Sequence, residues 1–243
     1  MTLLNVTLIS SLVDNYTPIL VDTRAREAVI VDPSESQPVL DFMRRENLSA
    51  KCIFLTHHHV DHIAGVSDIT ERFAGCDVIG FKDDQYRLPP LTRAVRGGDL
   101  VSMLGRCFEI WSTPGHTSGH IIYVCHELKL AFVGDVIFGG GCGRVFEGTY
   151  QQMFSSLQKL KQLPDDYQLF CAHEYTQRNL EFALSQYSDN CRILERVDRV
   201  IKCRSEGHAT VPLSIGEERL TNPFLLAQDV REFSVLRDAR NAF

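Results

Sequence analysis

The sequence predicts a mixed domain of short strands and a few helices, followed by a helical extension beginning near Tyr175. Three observations carry this. Apolar runs rich in Val, Ile, Leu and Phe, each closed by Gly, Pro, Asp or Asn, recur through the first two-thirds of the chain. Between them lie segments whose apolar residues repeat at helical spacing. After Tyr175 the strand signals stop and only helical patterns remain.

Strands are expected over residues 3–8, 19–22, 28–32, 51–56, 108–112, 121–124, 130–133 and 168–171. Helices are expected over 37–46, 66–73 and 151–161. The first follows Asp32-Pro33-Ser34, where Ser34 and Gln37 have capping-box spacing. In the third, Met153, Leu157 and Leu160 recur as a core stripe. In the extension, helical patterns cover 177–187 and 191–204, the second with an apolar stripe of Ile193, Val197, Val200 and Ile201. A loop with Pro212 and Pro223 leads to a short polar tail read as helical. No internal repeat or low-complexity linker is visible.

A chain of 243 residues, 44% hydrophobic, suffices for one sizeable core or a large domain plus a small one. Its formal net charge is −6 without a Lys/Arg-rich run, which speaks against a nucleic-acid partner. No apolar run approaches the ~20 residues needed to span a bilayer, so no membrane partner is expected. The N-terminal stretch lacks a basic region and a small-residue cleavage site, so no secretion signal is expected either. Eight cysteines occur without a CxxC spacing, and Cys52 and Cys171 sit inside apolar runs. Reduced thiols in a cytoplasmic protein are the expected reading.

The stretch Thr56-His57-His58-His59-Val60-Asp61-His62 follows an apolar strand and concentrates nitrogen and oxygen donors. Neutral imidazole and carboxylate suit zinc, iron or manganese. Three further strand ends deliver a potential ligand in the same way: 108–112 runs into Thr113-Pro114-Gly115-His116, 130–133 into Gly134-Asp135, and 168–171 into Ala172-His173. Loops leaving the ends of strands are where a rigid scaffold can converge side chains. Of the other histidines, His58 alternates with the ligands and is assigned a packing role or one behind them. His120 is a candidate partner for a ligand. His126 and His208 read as surface residues.

His57-x-His59-x-Asp61-His62, followed in order by His116, Asp135 and His173, resembles the metallo-β-lactamase superfamily. The resemblance implies an α+β fold, a four-layer αβ/βα sandwich with metals at one edge between two sheets. It also implies that His57, His59 and His116 hold one metal, that Asp61, His62 and His173 hold a second, and that Asp135 bridges them. Such a pair shares a hydroxide, lowers its pKa and stabilises an oxyanion, so no Ser or Cys nucleophile is needed.

Further motifs resemble the hydroxyacylglutathione hydrolases (glyoxalase II): Asp14-Asn15-Tyr16, THHHVDH, TPGHTSGH, GD with the following GCGR loop, AHEYT, Asn222-Pro223-Phe224 and the arginine-bearing end. This resemblance implies a catalytic domain over 1–173 and a helical substrate-binding domain over 174–243. It implies hydrolysis of S-D-lactoylglutathione to glutathione and D-lactate, the second step of methylglyoxal detoxification, by a hydroxide bridging two metals, with Asp61 and Asp135 at the catalytic centre. Zinc is the expected metal; iron and manganese also suit the ligands. Arg144, Phe146, Tyr175, Arg237 and Arg240 match substrate-binding positions, and a monomer is expected. Phe146 stands where some members carry tyrosine, and Ala64 replaces a frequent glycine. Arg237 and Arg240 fall on one face of a helix at i, i+3, suited to a carboxylate.

Persulfide dioxygenases resemble the same family but use a single iron; the complete second-metal set, the helical extension and Tyr175 argue for the hydrolase. A lactonase is the other alternative. A non-catalytic binding protein would be expected to have a broken ligand set, whereas all seven positions are filled.

Overall fold

The computed structural model describes residues 4–243, so Leu3, the first residue of the first expected strand, lies outside the described residues. Two compact units are formed. One comprises the described residues up to Ser112 together with Ile121–Leu128; the other comprises Thr113–His120 and Lys129–Phe243.

In the first unit, β1 (Leu4–Ser11) and β2 (Asn15–Asp22) make an antiparallel hairpin, and β3 (Glu27–Val31) pairs antiparallel with β2. Helix α1 (Ser36–Arg45) then returns the chain to β4 (Ser49–Phe54), parallel to β3. The short α2 (Val60–Ile63) and α3 (Val66–Arg72) lead to β5 (Asp77–Phe81) and β6 (Arg93–Val95), which complete a six-stranded sheet in sequence order. Alternate residues Ile19, Val21, Ala28, Ile30, Ile53 and Leu55 bury one face against Val39 and Met43 of α1 and Val66 and Ile69 of α3. Strands β7 (Leu100–Met103), β8 (Arg106–Ser112) and β9 (Ile121–Cys125) follow as antiparallel neighbours. Tyr123 of β9 is fully buried, and its hydroxyl donates to the Leu55 and Ile79 carbonyls, both at 2.9 Å.

The second unit holds β10 (Leu130–Gly134), a two-stranded hairpin of β11 (Ile137–Phe138) and β12 (Gly141–Cys142), and helix α4 (Tyr150–Leu160). Next comes β13 (Gln168–Cys171), parallel to β10. Helices α5 (Thr176–Gln186) and α6 (Cys191–Ser205) follow. The two-residue β14 (Leu213–Ser214) adds antiparallel to β13, before α7 (Ile215–Thr221), α8 (Pro223–Leu226) and α9 (Val230–Ala242). Among the described residues no helix is long and apolar enough to cross a membrane.

Every expected strand and helix has a counterpart, and the differences have local causes. The expected strand 19–22 begins earlier, at Asn15, because Pro18 faces only Leu8 of β1 and need not donate on its other side. Strands β5, β6 and β7 escape sequence reading because they are three to five residues long and interleaved with polar residues. The capping box expected at Ser34 and Gln37 is absent: Glu35 caps α1 without a side-chain bond. Ser34 is buried, and its N–H reaches Thr17 Oγ1 at 3.4 Å. The reciprocal box forms instead on α4, between Thr149 and Gln152. The apolar stripe of α6 is also corrected. Its buried residues are Ile193, Arg196 and Val200, whereas Ile201 is 46% exposed. A buried arginine inside the stripe is unreadable without its partner, Glu218.

Candidate functional site

In the first unit the ligand motif leaves β4 and turns into α2, whose N-cap is His59. Asp32 organises it. This residue directly follows β3, in the left-handed region (φ 46°), and is buried. Its carboxylate accepts the Thr56 N–H at 2.8 Å, the Thr56 hydroxyl at 2.6 Å and His62 Nδ1 at 3.0 Å. With its proton committed to Asp32, Thr56 Oγ1 accepts from His57 Nδ1 at 3.0 Å. One carboxylate thereby fixes the tautomers of both His57 and His62, leaving each Nε2 lone pair for a metal. Asn15 donates to Asp61 at Oδ2 (3.1 Å) and at its carbonyl (3.3 Å), orienting the third donor. His58 turns to Asp84, with Nδ1 3.1 Å from Oδ2.

In the second unit, His116 donates through Nδ1 to the Arg144 carbonyl at 2.8 Å, which places its lone pair on Nε2. His120 is fully buried and bonds Thr113 Oγ1 at 3.0 Å through Nδ1, while its Nε2 accepts the Asp135 N–H at 3.2 Å. It therefore acts behind the ligands, holding the backbone of Asp135. His173 follows β13, and its ring stacks on Tyr175 with centroids 4.8 Å apart. Gly143 belongs to this packing: a Cβ there would fall 2.1 Å from the Asp135 carbonyl and 3.0 Å from His116 Nδ1. Only glycine lets the chain pass so close.

The donor set fits divalent metal. Two donors bonded to one tetrahedral ion at about 2.0–2.1 Å lie about 3.3 Å apart. Four donor pairs, each within one unit, have that spacing: His57 Nε2 with His59 Nδ1 at 3.0 Å, His62 Nε2 with Asp61 Oδ2 at 3.6 Å, His116 Nε2 with Asp135 Oδ2 at 3.3 Å, and His173 Nε2 with Asp135 Oδ1 at 3.5 Å. Asp135 presents one oxygen to each of two histidines, an arrangement that suits a carboxylate shared by two ions. The first unit thus brings together His57, His59, Asp61 and His62, and the second His116, Asp135 and His173.

The substrate candidates all lie in the second unit. Arg144 is exposed, and Phe146 is 62% exposed with its ring 5.3 Å from that of His116. Tyr175 is half-buried, between His173 and Phe138. The tail is helical as expected, but its two arginines differ. Arg237 is 3% exposed, donates to the Cys142 carbonyl at 2.8 Å and lies over the Phe224 ring. Arg240 is half-buried and donates to Asn179 Oδ1 through Nε and Nη2 at 3.2 and 3.1 Å. Burial, followed by the charges of Arg237, Arg178 and Arg144, lowers the Arg240 pKa. Four arginines thus share one neighbourhood, and none of them makes an ion pair among the described residues. Such a cluster suits an anionic ligand.

Sequence reasoning missed Asp32, which closes the expected strand 28–32 and opens the helix-start turn but was given no role at the site, although an acid at a strand end was the signal used for Asp135. It also missed Arg178, one exposed arginine on a helix, and Glu218, whose partners are distant in sequence.

Residues 14–173 match the family model of the metallo-β-lactamase superfamily, and residues 174–243 match that of the hydroxyacylglutathione hydrolase C-terminus. A hydroxyacylglutathione hydrolase of Thermosynechococcus vestitus is 43% identical over 217 residues, covering 89% of this chain and 86% of that protein. Another, from Synechococcus sp. (strain JA-3-3Ab), is 42% identical over 242 residues, covering 95% and 96%. Among solved structures, BLEG-1 B3 metallo-β-lactamase superposes with a TM-score of 0.71 at 20% identity, over 93% of this chain and 100% of that one, a likeness of fold. The donor set, the helical region that follows it and these similarities agree: the chain belongs to the hydroxyacylglutathione hydrolase family of the metallo-β-lactamase superfamily.

Proposed function

We propose that the protein hydrolyses the thioester of S-(2-hydroxyacyl)glutathione, with S-D-lactoylglutathione as the principal substrate and glutathione and D-lactate as products. The observation that carries this reading is Arg144. Its carbonyl orients the ligand His116, while its exposed guanidinium belongs to the arginine cluster, so metal donors and substrate anchors meet in one residue.

His57, His59 and His116 are assigned to one divalent ion, and Asp61, His62 and His173 to the other. Asp135 is shared between them. Zinc is the proposed metal, since imidazole and carboxylate donors suit it. When bound, the two ions acidify a water at neutral pH and polarise the thioester carbonyl. Asp32 and the Arg144 carbonyl hold the ligand tautomers, and His120 holds Asp135. Arg144 and Arg240, with Arg237 behind them, attract the carboxylates of glutathione and bring the thioester towards the ligands. Phe146 and Tyr175 flank His116 and His173 and give the acyl-thioester an apolar wall. The leaving group departs as a thiolate, so no side chain is needed to protonate it. In this reading residues 1–173 form the catalytic domain and 174–243 the substrate-binding domain. All eight cysteines are free, which supports a reducing compartment, the cytoplasm.

The test is Arg144→Ala, which keeps the carbonyl that orients His116. KM for S-D-lactoylglutathione is expected to rise about 10-fold with kcat little changed, the loss of one charge-assisted contact. KM for S-lactoyl-N-acetylcysteamine, which lacks both carboxylates, is expected to stay the same. Equal KM values for S-D-lactoylglutathione in the two proteins would rule out this substrate pose.

A further inference from the structure

We propose that Glu218 and Asn222 are positioning residues that hold the metal ligand His116 and the substrate anchor Arg144 through the hairpin β11–β12; the Arg144 half of this rests on the function proposed above. A hairpin of two-residue strands cannot stand alone, and this one is tied by side chains at five consecutive residues. Asn222 Nδ2 lies 3.3 Å from the Phe138 carbonyl and 2.9 Å from that of Gly141. Asn179 Nδ2 donates to the Gly139 carbonyl at 3.1 Å. The Gly140 N–H donates to Glu218 Oε2 at 2.9 Å, and Arg237 donates to the Cys142 carbonyl at 2.8 Å. Every one of these side chains comes from α5, α7, α9 or, for Asn222, the junction of α7 and α8.

The clamp is buried and mutually braced. Glu218 and Asn222 are both 0% exposed, Asn222 Nδ2 also donates to Glu218 Oε2 at 2.9 Å, and Arg196 of α6 pairs with Glu218 Oε1. Buried ion pairs add little net stability because their desolvation offsets their attraction. Their directional bonds do fix geometry. The glycines of the hairpin leave no slack: a Cβ on Gly139 or Gly141 would come within 2.3 Å of Thr176 or Asn179.

The hairpin runs directly into the site. Two residues beyond Cys142 is Arg144, whose carbonyl selects the tautomer of His116. A shift of the hairpin moves that carbonyl and the Arg144 guanidinium together, so metal affinity and substrate affinity are coupled to α7 and α8. A role confined to folding would move neither.

Asn222→Ser separates the two roles. Serine still caps α8, as Asn222 Oδ1 does for the Phe224 N–H at 3.0 Å, but it is too short to reach the hairpin. Zinc affinity, measured on metal-free protein by competition with a chromophoric chelator, is expected to fall about 10–100-fold for one of the two ions. KM for S-D-lactoylglutathione should rise in parallel, and the Gly140 amide should exchange faster. Val200→Ala, a core truncation in α6 (Val200 is 8% exposed), supplies a comparison lowered in Tm at a residue that makes none of the bonds above. Zinc affinity and KM within twofold of the parent in Asn222→Ser, or equal losses in Val200→Ala, would overturn the proposal. If Asn222→Ser does not fold, Glu218→Gln is read by the same criteria. The zinc measurement stands even if the parent does not hydrolyse the thioester, so failure of the clamp and failure of the substrate assignment are told apart.

Discussion

Asp135→Ala is expected to lose hydrolysis of S-D-lactoylglutathione by about 10³-fold or more, equivalent to about 4 kcal/mol of transition-state stabilisation. Bound metal should fall with it. Asp135 is 6% exposed, and its two oxygens lie 3.3 and 3.5 Å from the Nε2 atoms of His116 and His173. In the proposed assignment, removing it would delete a donor from each ion and the negative charge that balances two dications. His116 and His173 remain held by Arg144 and Tyr175, so the fold should persist. Metal per chain by elemental analysis, alongside kcat/KM, checks this; a variant with full metal and more than a tenth of parental kcat/KM would contradict the bridging role.

Asp32→Asn is the second large effect, at a residue that is not itself in the proposed ligand set. Asparagine keeps an acceptor for the Thr56 N–H but turns an NH2 group towards His62 Nδ1, which would then have to accept. The proton of His62 moves to Nε2, the atom needed for metal. Affinity for one ion should drop about 10–100-fold, and stoichiometry in dilute zinc should move from two ions towards one. Asp32→Ala acts differently. It leaves the buried Thr56 N–H without its acceptor at a cost of about 1–3 kcal/mol, so its Tm should fall as well. Two bound ions in Asp32→Asn at submicromolar free zinc would refute the orienting role.

What the sequence made legible follows the range of the interactions. Ligands at strand ends were readable because the strand and the residue after it are neighbours in sequence: β4 with His57, β10 with Asp135, β13 with His173. Asp32 hid behind an ordinary helix-start pattern, because its partners Thr56 and His62 lie 24 and 30 residues away. The spacing of the tail arginines places them on one face of a helix, yet helical spacing says nothing about what that face meets. Arg237 meets a carbonyl 95 residues earlier, and Arg240 meets Asn179. The glycine-rich stretch after Asp135 is visible in the sequence as a motif, but not as a hairpin, because two-residue strands have no period to detect. Its order comes from side chains on helices that follow much later.

In the proposed function, two divalent ions held by seven His and Asp residues turn this chain into a glutathione thioester hydrolase. Its most direct test is the hydrolysis of S-D-lactoylglutathione by the purified protein, followed by loss of thioester absorbance, before and after chelation and zinc readdition. Rapid turnover that chelation abolishes and zinc restores is the predicted result. No turnover by protein carrying two metal ions per chain would contradict it.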